Sequence, residues 1–293
     1  MSTAGTPTGQ PVGVSLGTVL TAIVTPFDEQ GAVDEKTFVD LMHHLAAHGS
    51  DGIVVCGTTG ESPTLSIEEH MRLVELACTE RPAGVTIVGS AGSNDTRHAV
   101  EMTERATAAG VDAILSVTPY YNRPNRRGLA AHYREVSKAT DKPIVLYNIP
   151  SRVSRDVPND ELAELAQIEH VDYVKQAANA NLAKVDGLGI YAGNDELYAP
   201  VLDLGECGVI SVASHVCGDL MARMAREPEH RAELETVFKP ILDALSVTVN
   251  PIPVKAALAM LGLCGPKLRL PLVEASEDEA AVVRAALEGA GLL

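Results

Sequence analysis

Eight short runs rich in valine and isoleucine constrain the fold of this chain more than any other feature. They span residues 19–24, 52–56, 85–89, 113–117, 143–147, 172–175, 188–192 and 208–212. Between most of them lie stretches such as 35–48, 67–80 and 96–109, where apolar residues recur at helical spacing. The punctuation agrees. Asp34 is placed to cap one helix, Ser66 and Glu69 form a capping-box pattern at another, and Gly49 and Gly110 follow helix ends. Gly49-Ser50-Asp51-Gly52-Ile53 and Gly110-Val111-Asp112-Ala113-Ile114 echo one another, each leading from a helix into a strand.

Strands of near-continuous apolar residues separated by helices belong to a parallel sheet covered on its outer face. Eight such units favour closure into a (β/α)8 barrel. The rival is a doubly wound open sheet, but no G-x-G-x-x-G turn follows the first strand and no P-loop motif is present. The sequence therefore predicts an α/β chain with a barrel over residues 15–232. After about residue 233 the strand signals stop, and 237–245, 253–261 and 277–288 read as helices, so 233–293 is expected to be a C-terminal helical extension. Residues 1–14 mix Ser, Thr, Gly, Pro and Gln with no basic start or apolar centre, and are expected as a flexible tail rather than a signal peptide.

A formal charge of −16 gives no general basic footprint for nucleic acid or an anionic membrane. No apolar run is long enough to span a bilayer. Five cysteines, an odd number without a C-x-x-C pair, are expected as reduced thiols in a cytoplasmic protein.

In a barrel of this kind the chemistry sits at the C-terminal ends of the strands. The polar residues there are Thr25, Thr58-Thr59-Gly60-Glu61, Asn94, Thr118 through Asn122, Tyr147-Asn148, Arg152, Lys175, Gly193-Asn194-Asp195 and Ser211. Lys175 ends an apolar run and has no acidic neighbour in sequence. Desolvation there lowers an ammonium pKa and leaves free amine able to attack a ketone. The same placement also suits a lysine that snorkels out of a strand end. Tyr147 shares a face with Val145 and points toward Lys175 if that face is the lumen; it reads either as a proton shuttle or as a core tyrosine with a satisfied hydroxyl. Thr58 and Thr59 offer hydroxyls and backbone N–H groups to a carboxylate, or form an ordinary loop. Tyr120 and Tyr121 suit a site, an interface or loop packing equally. Arg152 offers a bidentate fork to a carboxylate, with Arg155 as a sign that the loop is simply charged. His43, His44 and His48 lie on one helix without a third-ligand signature, and Cys56 has no histidine partner in sequence, so neither a metal site nor a cysteine nucleophile is expected.

Taken together these residues resemble the dihydrodipicolinate synthase and N-acetylneuraminate lyase family. The likeness runs through Val24-Thr25-Pro26-Phe27, Gly57-Thr58-Thr59-Gly60-Glu61-Ser62, Thr118-Pro119-Tyr120-Tyr121-Asn122, Leu146-Tyr147-Asn148-Ile149-Pro150, Val174-Lys175, Gly208-Val209-Ile210-Ser211-Val212 and Asn250-Pro251-Ile252-Pro253-Val254-Lys255. It implies a class I aldolase-type barrel in which Lys175 forms a Schiff base with pyruvate. Tyr147 would donate and accept protons, with Thr58 and Tyr121 completing the relay and Tyr121 donated by a neighbouring subunit. Thr59, the backbone at Ile210 and Gly193 would hold pyruvate, and Arg152 the carboxylate of a second substrate, L-aspartate 4-semialdehyde. The implied product is 4-hydroxy-tetrahydrodipicolinate, on the route to diaminopimelate and lysine. The resemblance further implies a homotetramer built from tight dimers and no metal or organic cofactor.

The sequence departs from the family pattern in places. Gln176 stands where many members are acidic, Asn179-Ala180 alters the following turn, and Asn194-Asp195 replaces paired acids. At the family's lysine-feedback site Ser62, His70, Asn94 and Tyr120 match, whereas Ile67 and His98 replace an expected His and Glu; weak or absent inhibition by lysine is expected. The competing functions are another pyruvate-dependent aldolase, acting on N-acetylneuraminate or a 2-keto-3-deoxy sugar acid, and a non-catalytic metabolite-binding paralogue.

Overall fold

A computed structural model describes residues 15–293; the expected N-terminal tail at 1–14 lies outside the described residues. The apolar runs form strands β1 (Val19–Ala22), β2 (Gly52–Val55), β3 (Thr86–Ser90), β4 (Ala113–Val117), β5 (Ile144–Asn148), β6 (Val171–Gln176), β7 (Gly189–Ala192) and β8 (Gly208–Ser211). They pair in sequence order, every pair parallel, and β8 closes on β1. Closure depends on Gly208. Its φ is +143°, and a Cβ there would lie 2.0 Å from the carbonyl oxygen of Thr18, which accepts from Val209 N–H across the seam.

Helices α1 (Glu35–Ala47), α2 (Ile67–Thr79), α3 (Thr96–Ala109), α4 (Arg126–Ser137), α5 (Pro150–Val153), α6 (Asn159–Leu165), α7 (Tyr198–Asp203) and α8 (Ser214–Arg226) surround the barrel. The expected caps form: Asp34 accepts from Thr37 N–H, and Ser66 with Glu69 makes a complete capping box. The sequence echo has a structural meaning. Asp51 accepts from the N–H groups of Thr18 and Val19, and Asp112 from that of Ile87, so each aspartate secures the start of the preceding strand in the barrel. The unit after β6 differs from the expected strand–helix pattern. Among the described residues the helical content of this connection is a 3-10 turn at Asn179–Asn181, because the twelve residues 177–188 are too few for a helix with its loops.

Side-chain alternation divides the core in two. Leu20, Val54, Val88, Leu115, Val145, Tyr173, Tyr191 and Ile210 fill the lumen, while Ile53, Ile87, Ile114, Leu146, Val174, Ile190 and Val209 pack outward against helices. Within the lumen, Tyr191 Oη donates to the carbonyl of Gly17 at 2.8 Å.

The C-terminal segment adds α9 (Arg231–Leu245), α10 (Ile252–Met260) and α11 (Glu277–Gly289), with α9 packed on α8 and both α9 and α10 on α11. A buried ion pair helps tie it to the barrel mouth. Lys255 Nζ on α10 lies 2.6 Å from Glu61 Oε1 in the loop after β2, with both side chains wholly buried. Glu61 Oε2 also accepts from Arg269 N–H at 3.1 Å. The Phe27 ring lies 4.3 Å from Lys255 Nζ and 4.5 Å from the Arg269 guanidinium carbon, adding cation–π attraction to both. Desolvation pulls the Lys255 pKa down and Glu61 offsets it.

Removing one partner of such a pair leaves a buried charge without compensation. Glu61→Ala is therefore expected to destabilise the protein by about 3–5 kcal/mol, measured as a lowered urea midpoint; a midpoint equal to that of the unsubstituted chain would show that the pair contributes nothing.

Candidate active site

β5 and β6 set the centre of the site. Their register places Tyr147 beside Lys175, and both follow the inward parity of Val145 and Tyr173. Tyr147 thus faces the lumen, as the alternation predicted. Lys175 Nζ lies 4.4 Å from the centroid of the Tyr147 ring. The lysine is 6% exposed and has no hydrogen-bonding or ion-pair partner among the described residues. Burial brings its pKa down to about 8, with Arg152 pushing the same way and Asp195 opposing. The snorkelling alternative fails because the amine stays inside. Tyr147 is shifted the other way, up to about 12, by burial; Arg152 and the Thr58 hydroxyl beside it favour the phenolate and limit the rise. Its backbone is held by Thr118, which donates both its N–H and its hydroxyl to the Tyr147 carbonyl.

Two cavities flank Tyr147. One, of about 290 Å³, is lined by Lys175, Thr58, Thr59, Arg152, Gly193, Asp195, Glu196 and Asn250. The other, of about 350 Å³, shares Thr58, Tyr147 and Arg152 and continues to Ser62, His70, His98 and Tyr120. Thr59 is buried, and its Oγ1 accepts from Asn250 Nδ2 at 3.0 Å. Gly193 donates its N–H to Gln176 and packs so tightly that a Cβ would lie 2.8 Å from that of Ala177, leaving its open side for the cavity. Ile210 fills the lumen on β8 beside β1. Arg152, on α5, is exposed between the two cavities, while Arg155 is taken up by a buried pair with Glu161 at 2.6 Å. The two arginines are therefore not equivalent.

Tyr121 is the candidate that this chain does not bring to its own site. Its side chain is 91% exposed, it lines neither cavity, and its backbone is left-handed at φ +68°. The loop is held by Asn122 Nδ2 donating to the carbonyl of Asn94 at 2.7 Å.

Other residues gained a place only in the structure. Asp195 Oδ2 accepts from the N–H groups of Val212 at 3.0 Å and Ala213 at 2.9 Å, fixing the turn after β8, and burial raises its pKa. Gln176 Oε1 accepts from Asn148 and from the Ala178 N–H, while Asn194 donates to Asn179, which donates to Glu196. Three of the departures noted in the sequence, Gln176, Asn179 and Asn194, are thus hydrogen-bonded amides beside the carboxylates of Asp195 and Glu196. Of these residues, Asn148, Asn194 and Asp195 stood in the strand-end census, without a role; Asn250 lay in a recognised segment, but nothing in the local pattern aimed it at Thr59.

A sequence profile of the dihydrodipicolinate synthetase family matches residues 15–290. The chain belongs to this family. A 4-hydroxy-tetrahydrodipicolinate synthase of Moorella thermoacetica is 42% identical over 293 residues, covering 94% of this chain and 99% of that protein. Among solved structures, the family member from Cyanidioschyzon merolae with lysine bound superposes with a TM-score of 0.91 at 37% identity, covering 95% of this chain and 99% of that one. A dihydrodipicolinate synthase from Acinetobacter baumannii complexed with pyruvate gives 0.91 at 34% identity, covering 95% and 100%.

A lysine is reactive only as the neutral amine, and the neutral fraction grows as pH rises through the pKa. Labelling of Lys175 by a small acylating reagent is expected to reach half its plateau near pH 8, where an exposed lysine does so near about 10.4. Peptide mass spectrometry across pH checks this, and a midpoint shared with surface lysines would contradict the burial argument.

Proposed function

We propose that this chain condenses pyruvate with L-aspartate 4-semialdehyde to give 4-hydroxy-tetrahydrodipicolinate, through a Schiff base on Lys175. The family membership and the synthase names of its relatives support the reaction. The observation that carries the mechanism is a buried, unpaired lysine beside Tyr147, with its pKa brought down to about 8.

The chemistry follows from the residues. The Lys175 amine adds to C2 of pyruvate, and a proton delivered through Tyr147 lets the carbinolamine lose water. The cationic iminium is the electron sink, so the neighbouring methyl loses a proton and becomes an enamine nucleophile. No metal or organic cofactor is needed for that step. Thr59 holds the pyruvate carboxylate, with Gly193 and the backbone at Ile210 closing the pocket around pyruvate, while Arg152 receives the carboxylate of the aldehyde substrate. The enamine carbon attacks the aldehyde, and the substrate's own amine then displaces Lys175 from C2, closing the ring and freeing the enzyme.

Thr58 connects Tyr147 to the cavity and passes protons to Tyr121. Because Tyr121 is exposed in its own chain, it serves the site of a second subunit in a tight dimer, two of which form a tetramer. A tyrosine raised to about 12 stays protonated, so it hands its proton to the substrate only as a relay hydroxyl returns one to it. The five cysteines are free thiols, in keeping with a reducing cytoplasm. Among the described residues no acidic side chain lines the second cavity, so the ammonium groups of lysine find no carboxylate there, and feedback inhibition is weak or absent.

Borohydride reduction in the presence of pyruvate should add the three-carbon acid to the Lys175 peptide and to no other, and Lys175→Ala should lose the adduct while keeping its fold. Turnover should be far greater for the semialdehyde condensation than for cleavage of N-acetylneuraminate or 2-keto-3-deoxy sugar acids. An adduct on another lysine, or preferred sugar-acid cleavage, contradicts the mechanism and the substrate respectively. Lysine added to the condensation assay should leave the rate nearly unchanged; strong inhibition at low concentration would overturn the reading of the second cavity.

A further inference from the structure

We propose that Asn250 is a positioning residue for the bound 2-oxo acid and acts through Thr59, an inference that rests on the Schiff-base reading above. Asn250 enters the site from the segment between α9 and α10 and lines the Lys175 cavity. Its Nδ2 donates to Thr59 Oγ1 at 3.0 Å, and that oxygen has no other hydrogen-bond partner among the described residues.

The direction of this bond matters. A hydroxyl has one hydrogen and two lone-pair positions. With an amide N–H occupying one lone pair, the hydrogen of Thr59 turns away from Asn250. The cavity that Thr59 lines offers the remaining acceptor, a substrate carboxylate. Asn250 therefore sets Thr59 as a donor before any substrate arrives. The carbonyl of Asn250 also accepts from Arg152 Nη2 at 3.5 Å, so one residue touches both groups assigned to the two substrate carboxylates.

A second cross-link holds this contact in place. Lys255, five residues after Asn250, pairs with Glu61, two residues after Thr59, so the same two segments are joined twice. Stability gives no separate reason for an amide here. Asn250 Oδ1 is buried without a partner, and a half-satisfied polar group costs free energy that an apolar side chain would avoid. The orientation of Thr59 supplies the reason.

The test is the pyruvate concentration that gives half-maximal borohydride-trapped imine on Lys175, read beside KM and kcat for the condensation. Asn250→Ala should raise the half-saturating pyruvate about tenfold or more, the effect of misdirecting one hydrogen bond to a charged group, with kcat falling less than KM rises. Asn250→Asp should raise it further, because a carboxylate takes the Thr59 hydrogen and repels the substrate's charge. In a Thr59→Ala background the Asn250→Ala change should add almost nothing. Half-saturation within twofold of the unsubstituted enzyme, or an equal rise in the Thr59→Ala background, overturns the proposal. If Asn250→Ala fails to fold, the near-isosteric Asn250→Asp carries the same comparisons. An unsubstituted enzyme with no Lys175 imine overturns the underlying reading and this proposal with it, whereas an imine insensitive to Asn250 overturns this proposal alone.

Discussion

A closed parallel barrel has both faces of every strand buried, and that constraint governs the rest of this molecule. Side chains of one parity must fill a lumen, and those of the other must meet helices. Leu20, Val54 and Tyr173 serve the first task, and Ile53, Leu146 and Val174 the second. At the open end the inward parity continues past the packed layers. Tyr147 and Lys175 are therefore lumen residues that reach the mouth, surrounded by protein but facing a cavity. The burial that lowers the lysine pKa is a by-product of barrel packing. A one-residue slip of β6 would turn Lys175 outward among the helices.

Electrostatics at the mouth follow from which charges are already paired. Arg155 is committed to Glu161, Lys255 to Glu61, and Arg269 to Glu69 at 2.5 Å. Among the described residues, Lys175 and Arg152 are the cations that face the cavity with no carboxylate within ion-pair distance. Asp195 is near enough to oppose the lowering of the lysine pKa, yet one of its oxygens is occupied by two backbone N–H groups. An anionic substrate thus meets local positive charge in a chain whose formal charge is −16, the arrangement that such an acidic protein requires.

Much of this was legible in the sequence. All eight strands were marked by apolar runs, and the caps at Asp34 and Ser66 formed as local chemistry demands. Lys175 and Tyr147 could be singled out because strand parity is a local property. The missing helix after β6 was concealed by the regularity of the other units, and the exposure of Tyr121 by the fact that a loop tip has no periodicity to read. Asn250 and the Glu61–Lys255 pair join positions 191 and 194 residues apart. No sequence spacing announces contacts of that range.

By itself, then, the sequence determined the strand and helix order, the barrel class and which residues could carry the chemistry, because these depend on side-chain periodicity and local backbone preference. Only the tertiary structure decided how the lysine is desolvated, which arginine stays free, and that the segment between α9 and α10 completes the mouth by reaching Thr59. Desolvation, charge pairing and hydrogen-bond direction depend on what lies across space from a group, and barrel closure is what brings those distant segments together.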